Sequence, residues 1–173
     1  LYNAIIELEP HTVAETGACN GASSYVILSA LETNGKGQLH SIDYPFYANE
    51  DLEKFRQETF DGYMGAAIPA DKEPGWTVPE SLRSRWELIR GRSQDRLPLL
   101  LEDLDSIDIF LHDSEHSHDC MTFEYSRVWP VLEEGGLLVS DDTDWNNAFS
   151  EFSDSVSYRN KHVVTQSFKA LVK

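Results

Sequence analysis

The stretch HDSEHSHD, residues 112–119, places three histidines, three acids and two serines in eight positions. Side chains of these types can bind a metal ion or exchange protons near neutral pH, and they also occur in solvated polar loops. The cluster alone does not distinguish these three interpretations. Which of its side chains can act together depends on the elements that carry them.

Short apolar segments alternate with longer amphipathic ones along the chain, and we find no internal repeat. Five segments are predicted to be strands, at residues 11–16, 38–43, 86–91, 107–113 and 135–142. Helices are predicted at residues 22–31, 50–60, 93–102 and 121–132, with Gly135 and Gly136 ending the last of them. This alternation predicts a parallel sheet covered by helices on both faces. Residues 162–168 and 170–173 are predicted to add an antiparallel pair of strands.

In such a sheet, ligands bind at the carboxyl ends of the strands. The residues at these ends are mainly acids and small residues, at positions 15–17, 43, 91–94, 113 and 141–142. We therefore expect the functional site along this edge. His112 lies within its strand and should turn away from Asp113 into the core, while His118 should begin the next helix as a structural residue.

Thirty acidic residues against fourteen basic ones give a formal charge of −16, which argues against nucleic acid or an anionic membrane as partner. The two cysteines, Cys19 and Cys120, lie in unlike contexts and indicate neither a disulfide framework nor a zinc site. No apolar run approaches the roughly 18 residues that a membrane-spanning helix needs. Acids interrupt the first apolar residues, unlike in a signal peptide. We expect one cytoplasmic domain over residues 1–173.

A glycine-containing turn, AETGACNGASS at residues 14–24, follows the first strand and opens a helix. Its only glycines are Gly17 and Gly21, so the G-x-G-x-x-G pattern of dinucleotide-binding turns is absent. Glu15 would repel a phosphate but would suit a cationic or amine-bearing ligand. Asp43, at the end of the second strand, is placed to accept hydrogen bonds from ribose hydroxyls. A nucleoside that carries an amino acid fits these residues better than NAD does.

Motifs at four strand ends, in the right order, resemble those of class I S-adenosylmethionine-dependent methyltransferases. The turn E-x-G-x-x-x-G-x-S looks like their motif I, in the form without the middle glycine that is similar to that of catechol O-methyltransferase. GRSQD at residues 91–95 resembles their adenine-side turn, and LVSDD at 138–142 resembles their metal-binding pair. The fourth match is Asp113, which falls at the position of the strand-four metal aspartate.

Residues 110–142 also resemble small-molecule and sugar O-methyltransferases, in which an aspartate followed by a histidine ends the fourth strand. Together the resemblances span residues 11–173. They imply a Rossmann-like, doubly wound α/β fold with a mostly parallel seven-stranded sheet and an antiparallel C-terminal strand.

The resemblance also implies roles for individual residues. Glu15 and Ser23 would contact the methionyl part of S-adenosylmethionine, and Asp43 its ribose. Ser93 and Gln94 would contact the adenine, although Ser93 could also be the N-cap of its helix. Two further residues, Gly17 and Asp113, are assigned to the same cofactor site.

Asp113, Asp141 and Asp142 are predicted to lie at the ends of neighbouring strands. Three carboxylates that converge repel one another unless a cation or protons intervene. An all-oxygen ligand set suits a hard ion, so Mg²⁺ is predicted, with Mn²⁺ or Ca²⁺ as alternatives. The resemblance implies that such an ion would bind the acceptor oxygen, lower its pKa and orient it toward the methyl donor.

His116 stands where catechol-type enzymes have a lysine base, three residues after the strand-four aspartate. It is predicted to be a catalytic base or a further metal ligand, and Asp113 is counted with it as catalytic. The alternative for His116 is a surface histidine in an acidic loop. Tyr44, Trp76 and Trp145 are candidate walls for the acceptor.

Residues 61–80 contain three prolines and three glycines, too many for a regular element. A lid or substrate-binding loop and a disordered insertion are both consistent with that composition. Only ten residues precede the first predicted strand. We therefore expect no N-terminal helices covering the cofactor.

The sequence thus predicts methyl transfer from S-adenosylmethionine to a hydroxyl of a small molecule, assisted by a divalent cation. No nucleic acid or membrane partner is expected, and a homodimer is an open alternative to a monomer. Two other functions stay open. One is a non-catalytic or regulatory nucleoside-binding domain, and the other is an NAD-dependent oxidoreductase, which the missing G-x-G-x-x-G disfavours.

Overall fold

The computed structural model describes residues 1–52 and 67–173. Within them one sheet is formed by the strands β1 (Thr12–Thr16), β2 (Gln38–Asp43), β3 (Trp86–Arg90), β4 (Ile107–His112), β5 (Leu132–Ser140), β6 (Asn160–Val163) and β7 (Lys169–Val172). Their order across the sheet is β3-β2-β1-β4-β5-β7-β6. Strands β1 to β5 pair in parallel, whereas β7 runs antiparallel to β5 and β6 antiparallel to β7. The predicted fold class is confirmed.

Helices cover both faces of this sheet. They are α1 (Tyr2–Leu8), α2 (Ala22–Asn34), α3 (Ser93–Asp103), α4 (His118–Val128) and α5 (Ala148–Ser155), with 3₁₀ turns at Glu80–Arg85 and Trp129–Val131. Alternate residues of the strands enter two apolar layers. On β4, for example, Phe110 belongs to the layer under α3, α4 and α5, and Leu111 to the layer under α1 and α2. Burial on both faces explains why these strands read as nearly continuous apolar runs.

Strand β1 lies between β2 and β4, so the chain changes direction across the sheet beside β1. Where the strand order reverses in this way, a crevice forms outside the carboxyl ends of the strands, and ligands bind there in such sheets. We call the residues in and after these strand ends the carboxyl edge, which comprises residues 15–23, 43–44, 91–94, 112–117 and 140–145. The predicted site residues all belong to it.

The predicted helix at 121–132 was wrong at both ends. Helix α4 begins at His118 because Ser117 caps it, with the Ser117 hydroxyl accepting from the Cys120 amide at 3.2 Å. Strand β5 already begins at Leu132, so Gly135 and Gly136 lie inside the strand and do not end a helix. The register between β4 and β5 shifts there. The irregularity requires glycine at both positions. Gly135 has φ +88, and a Cβ at Gly136 would lie 2.7 Å from the Asp108 carbonyl oxygen.

Helix α1 occupies residues that we expected to carry no helix. Its Ile5 is fully buried against α2, and the Ile5 carbonyl accepts a hydrogen bond from the side chain of Asn34. At the other end of the chain, the first strand of the antiparallel pair covers residues 160–163 rather than 162–168. The helix predicted at 50–60 falls almost entirely outside the described residues, as do residues 61–66 of the predicted loop. Among the described residues, no helix is long and apolar enough to cross a membrane.

Candidate cofactor-binding and active site

The turn after β1 is held against both neighbouring strands. Gly17 has φ +89, and its amide donates to the Ile42 carbonyl at 2.8 Å. A Cβ at Gly17 would collide with the carbonyl group of Asp113. The Asp113 amide in turn donates to the Thr16 carbonyl at 2.9 Å. Only glycine therefore fits the point at which the ends of β1 and β4 meet.

Asp43 fixes the middle of this turn. Its Oδ1 accepts a hydrogen bond from the Cys19 amide at 2.9 Å, and Cys19 itself adopts a left-handed conformation with φ +45. The second carboxylate oxygen, Oδ2, is buried and has no hydrogen-bond partner. Burial raises the pKa of Asp43, although Arg90 nearby opposes that shift. The carboxylate thus offers one free acceptor atom beside the glycine turn.

Glu15 is fully buried beneath the turn. Its Oε2 accepts hydrogen bonds from Ser24 at 2.6 Å and Ser41 at 2.7 Å, two residues that sequence reasoning missed. The other oxygen, Oε1, is buried and accepts no hydrogen bond of adequate geometry. Burial raises the pKa of Glu15, and the hydroxyls of Ser23, Ser24 and Ser41 oppose this. Two sequence features could have indicated this cluster: the alternating side-chain direction along β1, and the serines at the start of α2.

Ser93 and Gln94, at the start of α3, both face Cys120 of α4. Gln94 Nε2 lies 3.3 Å from the sulfur of Cys120, and Ser93 Oγ lies 3.7 Å from it. The N-cap of α3 is Arg92, so the alternative in which Ser93 caps the helix is wrong. Cys120 was not predicted at this site. Burial raises the pKa of its thiol far above the usual range, so the sulfur stays protonated.

The three predicted metal ligands lie at adjoining strand ends. Asp141 accepts from the Asp142 amide at 2.9 Å, and its own amide donates to the His112 carbonyl at 3.0 Å. Burial, followed by the charge of Asp141, raises the pKa of Asp113 to about 8. Burial also raises the pKa of Asp142. Even so, within residues 1–52 and 67–173 no three His, Cys, Asp or Glu side chains are arranged to hold a metal ion.

His116 is buried, which excludes the alternative of a surface histidine. Its Nε2 lies 3.3 Å from Asp142 Oδ2, and its Nδ1 is buried without a partner. The rings of Trp145 and His112 pack edge-on against its ring, with centroids 5.2 and 5.3 Å away. Burial and His112 lower the pKa of His116 to about 4. The imidazole is therefore neutral at pH 7.

His112 lies in the core, as predicted, but it is not simply packed there. Its Nδ1 lies 2.6 Å from Oε2 of Glu124, a fully buried residue of α4. Thr16 Oγ1 donates to the same Oε2 at 2.6 Å, and Ser114 Oγ donates to Oε1 at 2.8 Å. Glu124 was missed from the sequence because it sits among the apolar residues of an amphipathic helix. His118 is exposed and lies 2.9 Å from Glu151, consistent with a structural role.

The described part of the predicted loop, residues 67–80, packs on the glycine turn. The Gly75 amide donates to the Cys19 carbonyl at 2.7 Å, and the Thr77 amide and hydroxyl both bond to the Asn20 carbonyl. Trp76 Nε1 donates to Asn20 Oδ1 at 2.6 Å. This contact gives Trp76 a role in supporting the turn, whereas Tyr44 and Trp145 remain exposed aromatic residues of the carboxyl edge.

Four buried side-chain atoms of the described residues lack a hydrogen-bond partner: Glu15 Oε1, Asp43 Oδ2, His112 Nε2 and His116 Nδ1. All four belong to the carboxyl edge. Buried polar atoms are rarely left unpaired in native proteins, so each calls for an explanation. Their concentration at one edge makes this edge the candidate ligand-binding site.

A family model described as a methyltransferase domain matches residues 14–143 of this chain. The matched segment runs from within β1 through β5 and contains the carboxyl edge except residues 144–145. The chain therefore belongs to the methyltransferase-domain family, and the resemblance to class I S-adenosylmethionine-dependent methyltransferases is confirmed. Comparison with curated proteins finds no match.

Several solved structures share this fold. One is the O-methyltransferase TomG from Streptomyces achromogenes, which is involved in tomaymycin synthesis and was solved with S-adenosylmethionine. The superposition covers 99% of this chain and 77% of TomG, with 16% sequence identity and a TM-score of 0.66. Another is the O-methyltransferase from Bacillus cereus, solved with S-adenosylhomocysteine. The superposition covers 99% of this chain and 78% of the Bacillus cereus chain, with 14% sequence identity and a TM-score of 0.63. A third is CalS11, a calicheamicin methyltransferase. The superposition covers 99% of this chain and 75% of CalS11, with 13% sequence identity and a TM-score of 0.64.

Proposed function

We propose that this chain transfers the methyl group of S-adenosylmethionine to a hydroxyl oxygen of a small molecule. The observation that carries the proposal is the set of four unpartnered buried atoms at the carboxyl edge. The family match supplies the class of reaction. The TomG and Bacillus cereus structures, both described as O-methyltransferases, support oxygen as the methylated atom and S-adenosylmethionine as the donor.

The residues of the carboxyl edge fit this cofactor. Asp43 Oδ2 is a buried acceptor beside the glycine turn, which suits a ribose hydroxyl. Glu15 Oε1 is a second acceptor, on a residue whose charge favours the cationic amine of a methionyl group, and Ser23 lies beside it. Gly17 lets the backbone approach the ligand closely.

For the adenine, the proposed contacts are Ser93 and Gln94. Both face Cys120, which anchors the start of α3 against α4. Hydroxyl and amide groups can each donate and accept hydrogen bonds, as the edge of an adenine ring requires.

When bound, S-adenosylmethionine supplies an electrophilic methyl group on a positively charged sulfur. Transfer forms a bond from the acceptor oxygen to this carbon and breaks the carbon–sulfur bond, whose electron pair stays on sulfur. The hydroxyl proton must then leave the oxygen. We assign its removal to His116, which is held 3.3 Å from the partly exposed carboxylate of Asp142. Asp113 is assigned to orienting the acceptor, because proximity and alignment govern such a displacement.

The divalent cation stays a prediction and takes no part in these steps. The carboxylates of Asp113, Asp141 and Asp142 do not form a metal-binding group as they stand in the described residues. Mg²⁺ calorimetry on the wild-type chain and on an Asp141→Asn, Asp142→Asn double variant tests the prediction. Saturable Mg²⁺ binding that the double variant loses would support the predicted metal site. A wild-type chain that binds no Mg²⁺ would contradict it.

Calorimetry with S-adenosylmethionine, S-adenosylhomocysteine and NAD tests the cofactor. We expect binding of the first two, and binding of NAD alone would overturn the proposed function. Methyl transfer is then followed with radiolabelled S-adenosylmethionine, using catechol and a hexose as acceptors. Binding without transfer to either acceptor would favour the non-catalytic binding domain.

His116→Ala tests the assignment of the base. Turnover should fall roughly 100-fold or more, within the usual contribution of general-base catalysis, while the affinity for S-adenosylhomocysteine changes little. His118→Ala is the matched control, since His118 is an exposed histidine two residues away that contacts Glu151. A His116→Ala variant as active as the control would remove His116 from the mechanism.

The acidic composition supports a small-molecule acceptor rather than nucleic acid or an anionic membrane as partner. The cytoplasm is the proposed location, because both Cys19 and Cys120 are free thiols. A homodimer also remains a proposal, and sedimentation velocity at several protein concentrations tests it. A single concentration-independent monomer would contradict it.

A further inference from the structure

Glu124 gathers polar contacts from separate parts of the carboxyl edge. Its side chain is fully buried on α4. Oε2 accepts a hydrogen bond from Thr16 Oγ1 and lies 2.6 Å from His112 Nδ1, while Oε1 accepts one from Ser114 Oγ at 2.8 Å. The Cys120 thiol lies 3.5 Å from Oε1.

The partners of Glu124 adjoin the residues proposed to act on ligands. Thr16 directly precedes Gly17, whose amide is bonded to the Ile42 carbonyl. His112 and Ser114 stand on either side of Asp113, and the His112 ring packs edge-on against that of His116. One carboxylate therefore bridges the end of β1, the end of β4 and the loop after β4.

We propose that Glu124 is a positioning residue, which holds the glycine turn and the Asp113–His116 loop in the arrangement that binds the cofactor. The proposal rests on the function proposed above. Glu124 touches no reacting atom in this role. It acts through Thr16, His112 and Ser114, each of which it fixes by one hydrogen bond.

Burying a carboxylate costs free energy because the group loses its hydrating water. Its contacts within the protein must compensate this desolvation cost. A neighbouring buried residue of α4, Val128, has an apolar side chain that packs in the core. Glu124 instead keeps a lowered pKa despite complete burial, because His112 and the surrounding hydroxyls stabilise the charge. Hydrogen bonds to a charged acceptor are stronger than those between neutral groups. Loss of the carboxylate would leave Thr16, His112 and Ser114 without this hydrogen-bond partner.

The experiment compares Glu124→Gln with Tyr125→Phe. Both change a buried polar side chain of α4, but the Tyr125 hydroxyl bonds to Ser140 of β5 at 2.6 Å. The Tyr125 ring packs edge-on against that of His112, with centroids 5.5 Å apart, and phenylalanine keeps this ring. The first readout is hydrogen–deuterium exchange of the Gly17 and Asp113 amides in the ligand-free protein. The second is the dissociation constant for S-adenosylhomocysteine, measured by calorimetry well below the unfolding temperature of each variant.

We expect Glu124→Gln to speed exchange of both amides and to weaken binding by about tenfold or more, equivalent to about 1.4 kcal/mol, whereas Tyr125→Phe changes each by less than about twofold. Equal effects of the two variants, or unchanged exchange and affinity in Glu124→Gln, would overturn the proposal. If the wild-type chain binds no S-adenosylhomocysteine, the proposed function fails, and amide exchange alone then decides the role of Glu124.

Should Glu124→Gln not fold, Thr16→Val provides a milder change, because it deletes one hydroxyl and keeps the shape of the side chain. It is expected to shift both readouts in the same direction. Thr16→Ser keeps the hydroxyl and should restore them. Failure of Thr16→Ser to restore the values lost in Thr16→Val would show that the methyl group, rather than the bond to Glu124, matters, and would overturn the proposal.

Discussion

Alanine at Gly17 and alanine at Gly35 are a matched pair of substitutions that tests how the glycine turn is held. Both glycines have left-handed backbones, with φ +89 and φ +69. Around Gly35, which ends α2, nothing lies within 4 Å of an added Cβ. At Gly17 the same Cβ would collide with the carbonyl group of Asp113 and would lie 2.8 Å from the Ser114 Cα. The pair separates backbone strain from steric collision.

The expected costs follow from these surroundings. Gly35→Ala incurs only the left-handed strain, about 1 kcal/mol. Gly17→Ala incurs the same strain, and it must also move the ends of β1 and β4 apart. That movement breaks the 2.9 Å bond from the Asp113 amide to the Thr16 carbonyl, at about 1 kcal/mol, and adds overpacking of about 1–3 kcal/mol. The free energy of unfolding should therefore fall by about 3–5 kcal/mol in Gly17→Ala.

Urea unfolding of both variants measures this difference, and calorimetry with S-adenosylhomocysteine measures its effect on the site. Gly17→Ala should lose affinity even under conditions where it is folded, because the displaced turn is the proposed cofactor contact. Gly35→Ala, at the far end of α2, should bind like the wild type. Equal losses of stability in the two variants, or full affinity in Gly17→Ala, would refute the reasoning.

Two further predictions concern pH and the segment that packs on the turn. Burial raises the pKa of Asp113 from 3.8 to about 8, so between these pH values only the folded state binds this proton. This proton should therefore make stability fall as pH rises, by up to about 1.4 kcal/mol per unit. Urea unfolding in EDTA at pH 5, 6.5 and 8 should show a shallower fall in Asp113→Asn than in the wild type, and parallel profiles would contradict the prediction. Trp76→Phe removes the 2.6 Å bond to Asn20 from an exposed side chain. It should cost less than about 1 kcal/mol of stability yet weaken S-adenosylhomocysteine binding about threefold, and unchanged affinity in calorimetry would show that Trp76 does not support the turn.

Local patterns predicted the strands well because each one is buried on both faces. Val13, Leu39, Ile109 and Leu138 are all buried, and such runs are recognisable without knowledge of their neighbours. The same local reasoning failed at Gly135 and Gly136. A glycine pair is a common helix stop, but here it serves a register irregularity between β4 and β5, which only the pairing of the two strands reveals.

For the site, the sequence identified the residues that end strands, since the carboxyl edge of a parallel sheet brings such residues together. Asp43 and Asp113 were predicted in this way, and His116 was predicted from the resemblance to catechol-type enzymes. It could not show that Asp43 bonds to the Cys19 amide, or that within residues 1–52 and 67–173 the three predicted metal ligands are not arranged as a metal-binding group, because both facts depend on backbone geometry to within an ångström.

The sequence by itself determined the order of the strands and the methyltransferase family, and it predicted the edge at which function resides, because these follow from periodicity and from motifs of a few residues. Only the tertiary structure decided that Glu124 joins Thr16, 108 residues away in the chain, to His112, 12 residues away. A contact between distant segments leaves no periodic trace in either of them. In HDSEHSHD, the structure buried His112 beside Glu124 and His116 beside Asp142 and left His118 exposed, because strand alternation and the start of α4 turn successive side chains in different directions.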